Sequence, residues 1–190
     1  MSQPIHSFTA NVPTWSPYVA PVELATATPE QLAAMKVTPS NTGASPYVRT
    51  LAHDPESLEV RSPLFNLIMY GKDGLPPAER ELGAIGASIV NRCIYCVAVH
   101  ASRFINHTKR EDIIAAIFTD ERAAKLEPRN QALFDFAAKL STTPIEADAC
   151  DAQALRDAGL SELEQLDLVL SAAIFGWANR LMHTLGEPIA

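Results

Sequence analysis

Apolar residues recur along most of this chain at helical spacing, and no segment sustains the alternation of a half-buried strand. From about residue 55 the pattern reads as a succession of helices. Leu64, Phe65, Ile68 and Met69 form one stripe, stopped by Gly71 and Gly74. Pro76 and Pro77 open the next helix, whose stripe is Ala78, Leu82, Ile85 and Ile89. Its Gly83, Gly86 and Ala87 make a bare second face where another helix can come close. Asn91 and Arg92 read as a corner, after which a helix runs to about Asn106. Thr108-Lys-Arg-Glu111 has the form of a capping box for a helix buried through Ile113, Ile114 and Ile117. Pro128 opens another, carrying Leu133, Phe134, Ala137 and Leu140 and ended by Thr143-Pro144. A short piece from about Asp148 to Ala158 stops at Gly159. The capping box Ser161-Glu-Leu-Glu164 starts the last helix, with Leu163, Leu166, Leu170, Ile174, Trp177 and Leu181 as its expected buried stripe. The expected fold class is all-α.

The first part of the chain is different, because nine of its 14 prolines lie in the first 63 residues. That predicts an irregular, Pro-rich arm over residues 1–45, attached to a helical core over 46–190 in a single domain, 1–190. Within the arm, Thr28-Pro-Glu-Gln31 opens a short helix to Met35, with Thr28 as N-cap and Gln31 closing a capping box. Trp15, Tyr18 and Val19 are expected to wrap onto the core, since leaving them in water is costly. Gly74-Leu-Pro-Pro-Ala-Glu79 and Gly159-Leu-Ser-Glu-Leu-Glu164 each introduce a long apolar helix, 85 residues apart. This offset raises a duplicated helical unit, whose second copy puts Ala178, Leu181 and Leu185 opposite Cys93, Cys96 and His100.

Composition narrows the function classes. With 47% hydrophobic and 19% charged residues, the 190-residue chain describes a compact folded protein. A net charge of −7 and a pI near 5.2 argue against nucleic acid or an anionic membrane as the partner. No basic and apolar leader is visible at the N-terminus, and the weakly polar stretch from Leu82 to Val90 is too short to span a bilayer. The expected location is cytoplasmic. In a reducing compartment three cysteines are no disulfide scaffold, so a close pair points to catalysis, redox chemistry or metal binding.

That pair lies in Cys93-Ile-Tyr-Cys-Val-Ala-Val-His100, where two thiols and an imidazole fall on one helical face. A c-type haem site needs His directly after the second Cys, where Val97 stands, and a thioredoxin motif needs a preceding strand. A structural zinc needs a fourth ligand, and Cys150, His53, His107 and His183 lack ligand spacing. Two buried cysteines with a core histidine is the bland alternative; Cys150, alone, reads as structural or incidental. As a redox device, the pair gains thiolate character if the helix begins near Cys93. His100, one turn beyond Cys96, is placed to take that thiol's proton, so Cys96 is the better nucleophile and Cys93 the better resolving thiol. Attack on a peroxide then gives a sulfenic acid at Cys96 and an intramolecular disulfide. Tyr95 is either a hydrogen-bond donor to the site or a packing residue. Glu81 shares a face with Ile85 and Ser88 and needs a partner if buried; a corner at Asn91-Arg92 lets it face His100.

Arg80-Glu81, a small-residue helix and Cys93-x-x-Cys96-x-x-x-His100 together resemble the alkylhydroperoxidase AhpD family, within the all-helical superfamily it shares with carboxymuconolactone decarboxylases. The resemblance is strong over about residues 60–106, and the C-terminal helices, including Phe175 to Arg180, look like the peroxidase-related branch. It implies Cys96 as peroxidatic cysteine, Cys93 as resolving cysteine, His100 as base and Glu81 as its proton-relay partner. AhpD has a second histidine where this chain has Tyr95, so part of the relay is absent or replaced. The resemblance further implies a peroxide substrate, an unidentified thiol reductant, no metal or organic cofactor, and a homo-oligomer, a trimer or hexamer. A disulfide oxidoreductase acting on a protein or lipoyl-like partner, a lactone decarboxylase-like enzyme and a zinc-stabilised or structural oligomerisation module are the competing readings.

Overall fold

The computed structural model describes residues 3–36 and 43–190; residues 1–2 and 37–42, both within the predicted arm, lie outside the described residues. In chain order come β1 (Thr14–Pro17), α1 (Pro29–Ala34), α2 (Pro46–Leu51), α3 (Pro55–Tyr70) and α4 (Pro77–Val90). Then follow α5 (Ile94–Thr108), α6 (Glu111–Asp120), a 3₁₀ turn (Glu121–Ala123), α7 (Pro128–Leu140), α8 (Ala149–Asp157), α9 (Glu162–Leu185) and β2 (Gly186–Ile189). The fold is all-α apart from one small ribbon.

Helix α4 is the axis of the core. Pro77 occupies its first turn, where the missing N–H costs nothing, and every residue from Arg80 to Ile89 is buried. It is sheathed by α5, α7 and α9, which explains why its apolar residues are not confined to one stripe. Its small residues let the neighbours approach. A Cβ on Gly86 would stand 2.9 Å from Ala137 Cβ and 3.2 Å from both Ala138 N and Phe134 O. Two of those three atoms are α7 backbone and cannot swing aside. Gly86→Ala is therefore expected to destabilise the fold by about 1–3 kcal/mol through overpacking, despite the ~1 kcal/mol that alanine adds in a helix interior. A urea midpoint unchanged or raised in this variant would refute the close approach.

The helix ends at the Asn91-Arg92 corner, where Arg92 takes a left-handed φ of 54° and the chain doubles back into α5. Helix α9, which the sequence offset sets opposite α4 and α5, has no such break and runs 24 residues without interruption. Gly74 and Gly159, the offset pair of the sequence repeat, do share the left-handed conformation, with φ of +78° and +83°.

Three expectations about the helices need correction. Thr108 does not cap α6: it ends α5, with Oγ1 donating to Phe104 O and accepting from Arg110 N, and the N-cap residue is Arg110. The α9 stripe is rotated. Leu168, Ser171, Ala172, Phe175, Ala178, Asn179 and Met182 are the buried residues, while Leu163, Leu166, Leu170 and Trp177 are exposed. Leu64 of α3 is likewise exposed. Periodicity found an apolar face on α9; the face turned inward is the one whose small residues fit against α4.

The arm does return to the core, through strand pairing. Strands β1 and β2 run antiparallel, with Thr14 opposite Ile189 and Pro17 opposite Gly186. Trp15 is buried beneath this ribbon, its Nε1 donating to Met182 O at 3.3 Å and its ring edge-on to Tyr47. Tyr18 and Val19, beyond the strand's end, are exposed instead of wrapped. The four-residue strands carry too few alternating positions to be seen by periodicity. Helix α1 has the predicted capping box, and Ala34 and Met35 join Val22, Val48, Ala52 and Leu58 in a second small core. Among the described residues no helix is long and apolar enough to cross a membrane.

Candidate active site

Cys93 is the N-cap of α5 and Cys96 the third residue inside it, so the two thiols face each other across the first turn. Their sulfurs are 2.9 Å apart, in hydrogen-bond contact and not bonded; both are buried free thiols. The environment treats them oppositely. The contact with Cys96 holds the Cys93 thiol below the ordinary range, and the Cys96 backbone N–H and the Asn179 amide act in the same direction against burial. Burial first, and then the neighbouring Cys93, push the Cys96 thiol well up. Hence the first proton lost from the pair leaves one negative charge resting on Cys93, with the remaining proton on Cys96. Asn179, fully buried, is held by Asn91 Nδ2 on its Oδ1 and by its own Nδ2 donating to Ser88 Oγ, both at 3.1 Å.

His100 lies one turn beyond Cys96 and is 4% exposed; its ring meets Phe175 edge-on at 4.3 Å. The α4–α5 corner brings Glu81, 1% exposed, onto its Nδ1. A carboxylate accepts only, so Nδ1 carries the hydrogen and Nε2 is left to face the site. Glu81 Oε1 is 4.0 Å from Arg103, which donates to the Tyr70 hydroxyl at 2.6 Å. The structure thus joins Cys93 to Cys96, and Glu81 to His100. These two pairs meet in space without a direct hydrogen bond between His100 and Cys96.

What they share is a cavity of about 480 Å³. Cys96 and His100 form part of its wall, with Tyr47, Arg61, Phe65, Tyr70, Tyr95, Arg103 and Phe175 around them. Cys93 borders a different cavity of about 200 Å³, between the corner residue Arg92 and the arm–β2 ribbon, with Trp15 and Met182 in its wall. Tyr95 lies between the two cavities and makes no hydrogen bond to either sulfur; burial raises its phenol pKa. Among the described residues no three His, Cys, Asp or Glu side chains are grouped to hold a metal ion. Cys150 is exposed, in the first turn of α8, and lines neither cavity. Sequence reasoning missed Asn179, Arg61, Arg103, Tyr47 and Tyr70. Arg103 lies on α5 itself, one turn past His100, where it reads as an ordinary helical cation; the other four are far from the cysteines in sequence and belong to no spaced motif.

Comparison with known proteins gives a family model and a set of solved structures. The carboxymuconolactone decarboxylase family model matches residues 55–139. The chain is similar to the alkylhydroperoxidase AhpD core of a peroxidase-related protein from Ralstonia eutropha JMP134, at 28% identity and TM-score 0.77 over 92% of each chain. It is also similar to a peroxidase-related protein from Silicibacter sp. TM1040, at 24% identity and TM-score 0.73 over 90% of this chain and 92% of that one. The debrominase Bmp8 superposes with TM-score 0.75 at 20% identity, over 91% of this chain and 92% of its own. At those last two identities the likeness shows the fold alone. No curated protein matches in sequence.

Proposed function

Since the chain belongs to the superfamily of AhpD-like proteins and carboxymuconolactone decarboxylases, we propose that it is a thiol-dependent peroxidase reducing hydrogen peroxide or organic hydroperoxides. One observation carries this reading: Cys96 and the carboxylate-backed His100 share one cavity, with the Cys93 sulfur 2.9 Å behind Cys96. The remaining proton shifts across that contact from Cys96 to Cys93, giving a Cys96 thiolate without creating a second charge. The thiolate attacks the terminal peroxide oxygen; the O–O bond breaks, an S–O bond forms, and His100, which has taken the pair's first proton onto Nε2, gives it to the departing alkoxide. Cys93 loses its proton and displaces hydroxide from the Cys96 sulfenic acid. Two thiols and one hydroperoxide become a disulfide, an alcohol and water.

The expected result is that peroxide lowers the free thiols of the reduced protein from three to one, leaving Cys150, with a mass loss of two hydrogens. Because the reactive charge arises by deprotonation, the rate rises with pH. The lowered Cys93 thiol places its midpoint below the ordinary thiol pKa. Unchanged thiols at millimolar peroxide would overturn the reading. A second reading, disulfide exchange with a protein or lipoyl-like partner, is favoured by the separate opening at Cys93. It predicts fast reaction of the reduced protein with a small disulfide and slow reaction with peroxide. In the peroxidase cycle that same opening admits the thiol reductant. The proposal includes a homo-oligomer, supported by the apolar face that α9 and α3 leave in water through Leu163, Leu166, Leu170, Trp177, Val60 and Leu67.

A further inference from the structure

The proposed chemistry uses neither cation of the cavity wall, Arg61 or Arg103, and only Arg61 lacks an acidic neighbour. Arg61, on α3, lies largely buried in the cavity wall, and its Nε has no hydrogen-bond partner. The Tyr47 hydroxyl is close enough for the Arg61 cation to pull its phenol pKa down against the rise that burial causes, yet Tyr47 Oη, like Arg61 Nε, is buried without a hydrogen-bond partner. Arg49, Arg80, Arg92, Arg110, Arg122 and Arg129 each meet a carboxylate, while Arg156 and Arg180 are exposed and donate to Gln153 and to the Gly176 carbonyl. Among the described residues Arg61 meets none, although the net charge of −7 leaves acids in excess. Its guanidinium face is covered by the Phe65 ring at 4.3 Å. That contact leaves the in-plane N–H fork open, and the fork is the part that matches a carboxylate. Burial also lowers the Arg61 pKa, the sign of a cation that lacks an anion.

The cavity fits an organic guest. At about 480 Å³ it exceeds many times the share of one small solvent-sized molecule, ~30 Å³ for water. Phe65, Tyr70, Tyr95 and Phe175 give it apolar aromatic walls, and its lining includes Arg61 and Arg103 but no acidic residue. Arg103 is engaged by Tyr70 and Glu81. Arg61 is the cation left over for a ligand. Resting on the peroxidase reading, we propose that the preferred substrate is an organic hydroperoxide bearing a carboxylate, which Arg61 holds while the hydrocarbon body lies among the aromatic rings and the peroxide end meets Cys96.

Binding is tested apart from turnover with para-isopropylbenzoate and its neutral amide, by calorimetry on the reduced protein. The acid is expected to bind about 10- to 100-fold tighter, the worth of a charge-assisted hydrogen-bonded pair. Arg61→Gln is expected to erase the preference and Arg61→Lys to keep part of it. In turnover, para-carboxycumene hydroperoxide should exceed cumene hydroperoxide in kcat/KM by a similar factor, with the ratio near one in Arg61→Gln. Equal binding of acid and amide by the wild type would overturn the inference even if both peroxides oxidise the thiols. So would a preference undiminished in Arg61→Gln. Acid-selective binding with thiols inert to every peroxide would instead overturn the peroxidase reading and keep the anion site.

Discussion

Cys96→Ser is expected to lower peroxide turnover by at least about 10³-fold, the scale of removing a nucleophile, whereas Cys93→Ser should complete one half-reaction and stop as a sulfenic acid on Cys96. The contrast is informative because access and electrostatics point to different sulfurs. Electrostatics favours charge on Cys93, which takes a hydrogen bond from its neighbour and sits at the start of α5. Access favours Cys96, whose sulfur borders the large cavity together with His100. Access decides, since a thiolate that cannot touch the peroxide beside the proton donor cannot complete the step. Charge on Cys93 then has its own use, readying the resolving thiol within 2.9 Å of the sulfenic acid. In Cys93→Ser the Cys96 thiol keeps its burial and loses the neighbour that carried the first charge. Its rate–pH midpoint should therefore move upward from the wild-type value. A dimedone adduct formed in Cys96→Ser but not in Cys93→Ser would reverse the assignment.

Much of the candidate site's geometry is legible in the sequence, and the reason is local. Cys93, Cys96 and His100 sit on consecutive turns of one helix, so spacing alone determines that they converge. Glu81 was reachable because the Asn91-Arg92 corner is written in residues that end helices. Apart from Arg103, which lies on α5 itself, what escaped was set by contact between separate helices. Arg61 and Tyr70 come from α3, Tyr47 from α2 and Asn179 from α9, and no periodicity tells which side chains of separate helices will share a wall. The α9 stripe failed for a related reason. Leu163, Leu166, Leu170 and Trp177 are the strongest apolar signal of that helix, yet α4 takes the face with Ser171, Ala172 and Ala178 because small residues permit the closer approach. The β1–β2 ribbon joins residues from opposite ends of the chain.

Arg80→Met is expected to be the most destabilising of the substitutions considered, costing about 3–5 kcal/mol. Arg80 is 1% exposed and lies directly before Glu81 in α4. Its Nε donates to Leu75 O at 2.7 Å, one terminal nitrogen to Ile68 O at 2.6 Å, and the other to Asp73 O at 2.5 Å and Asp167 Oδ2 at 2.8 Å. One side chain thereby ties the end of α3, the turn before α4 and the helix α9. Methionine fills similar volume but satisfies none of these acceptors, and it leaves the Asp167 carboxylate mostly buried beside no cation. Against a typical total stability of 5–15 kcal/mol the loss is large, and for a chain of this size it corresponds to a fall in melting temperature of roughly 6–20 °C. Removing the stranded charge as well, in Arg80→Met with Asp167→Leu, should restore part of the loss, because an unpaired buried ion costs more than an absent pair. A double variant no more stable than Arg80→Met would show that the carbonyl bonds, not the ion pair, dominate. A single variant within about 1 kcal/mol of wild type would contradict the anchor altogether. The consequence reaches the cavity, because Glu81 follows Arg80 on the same helical turn and is held against His100 only as firmly as α4 is held against α3 and α9.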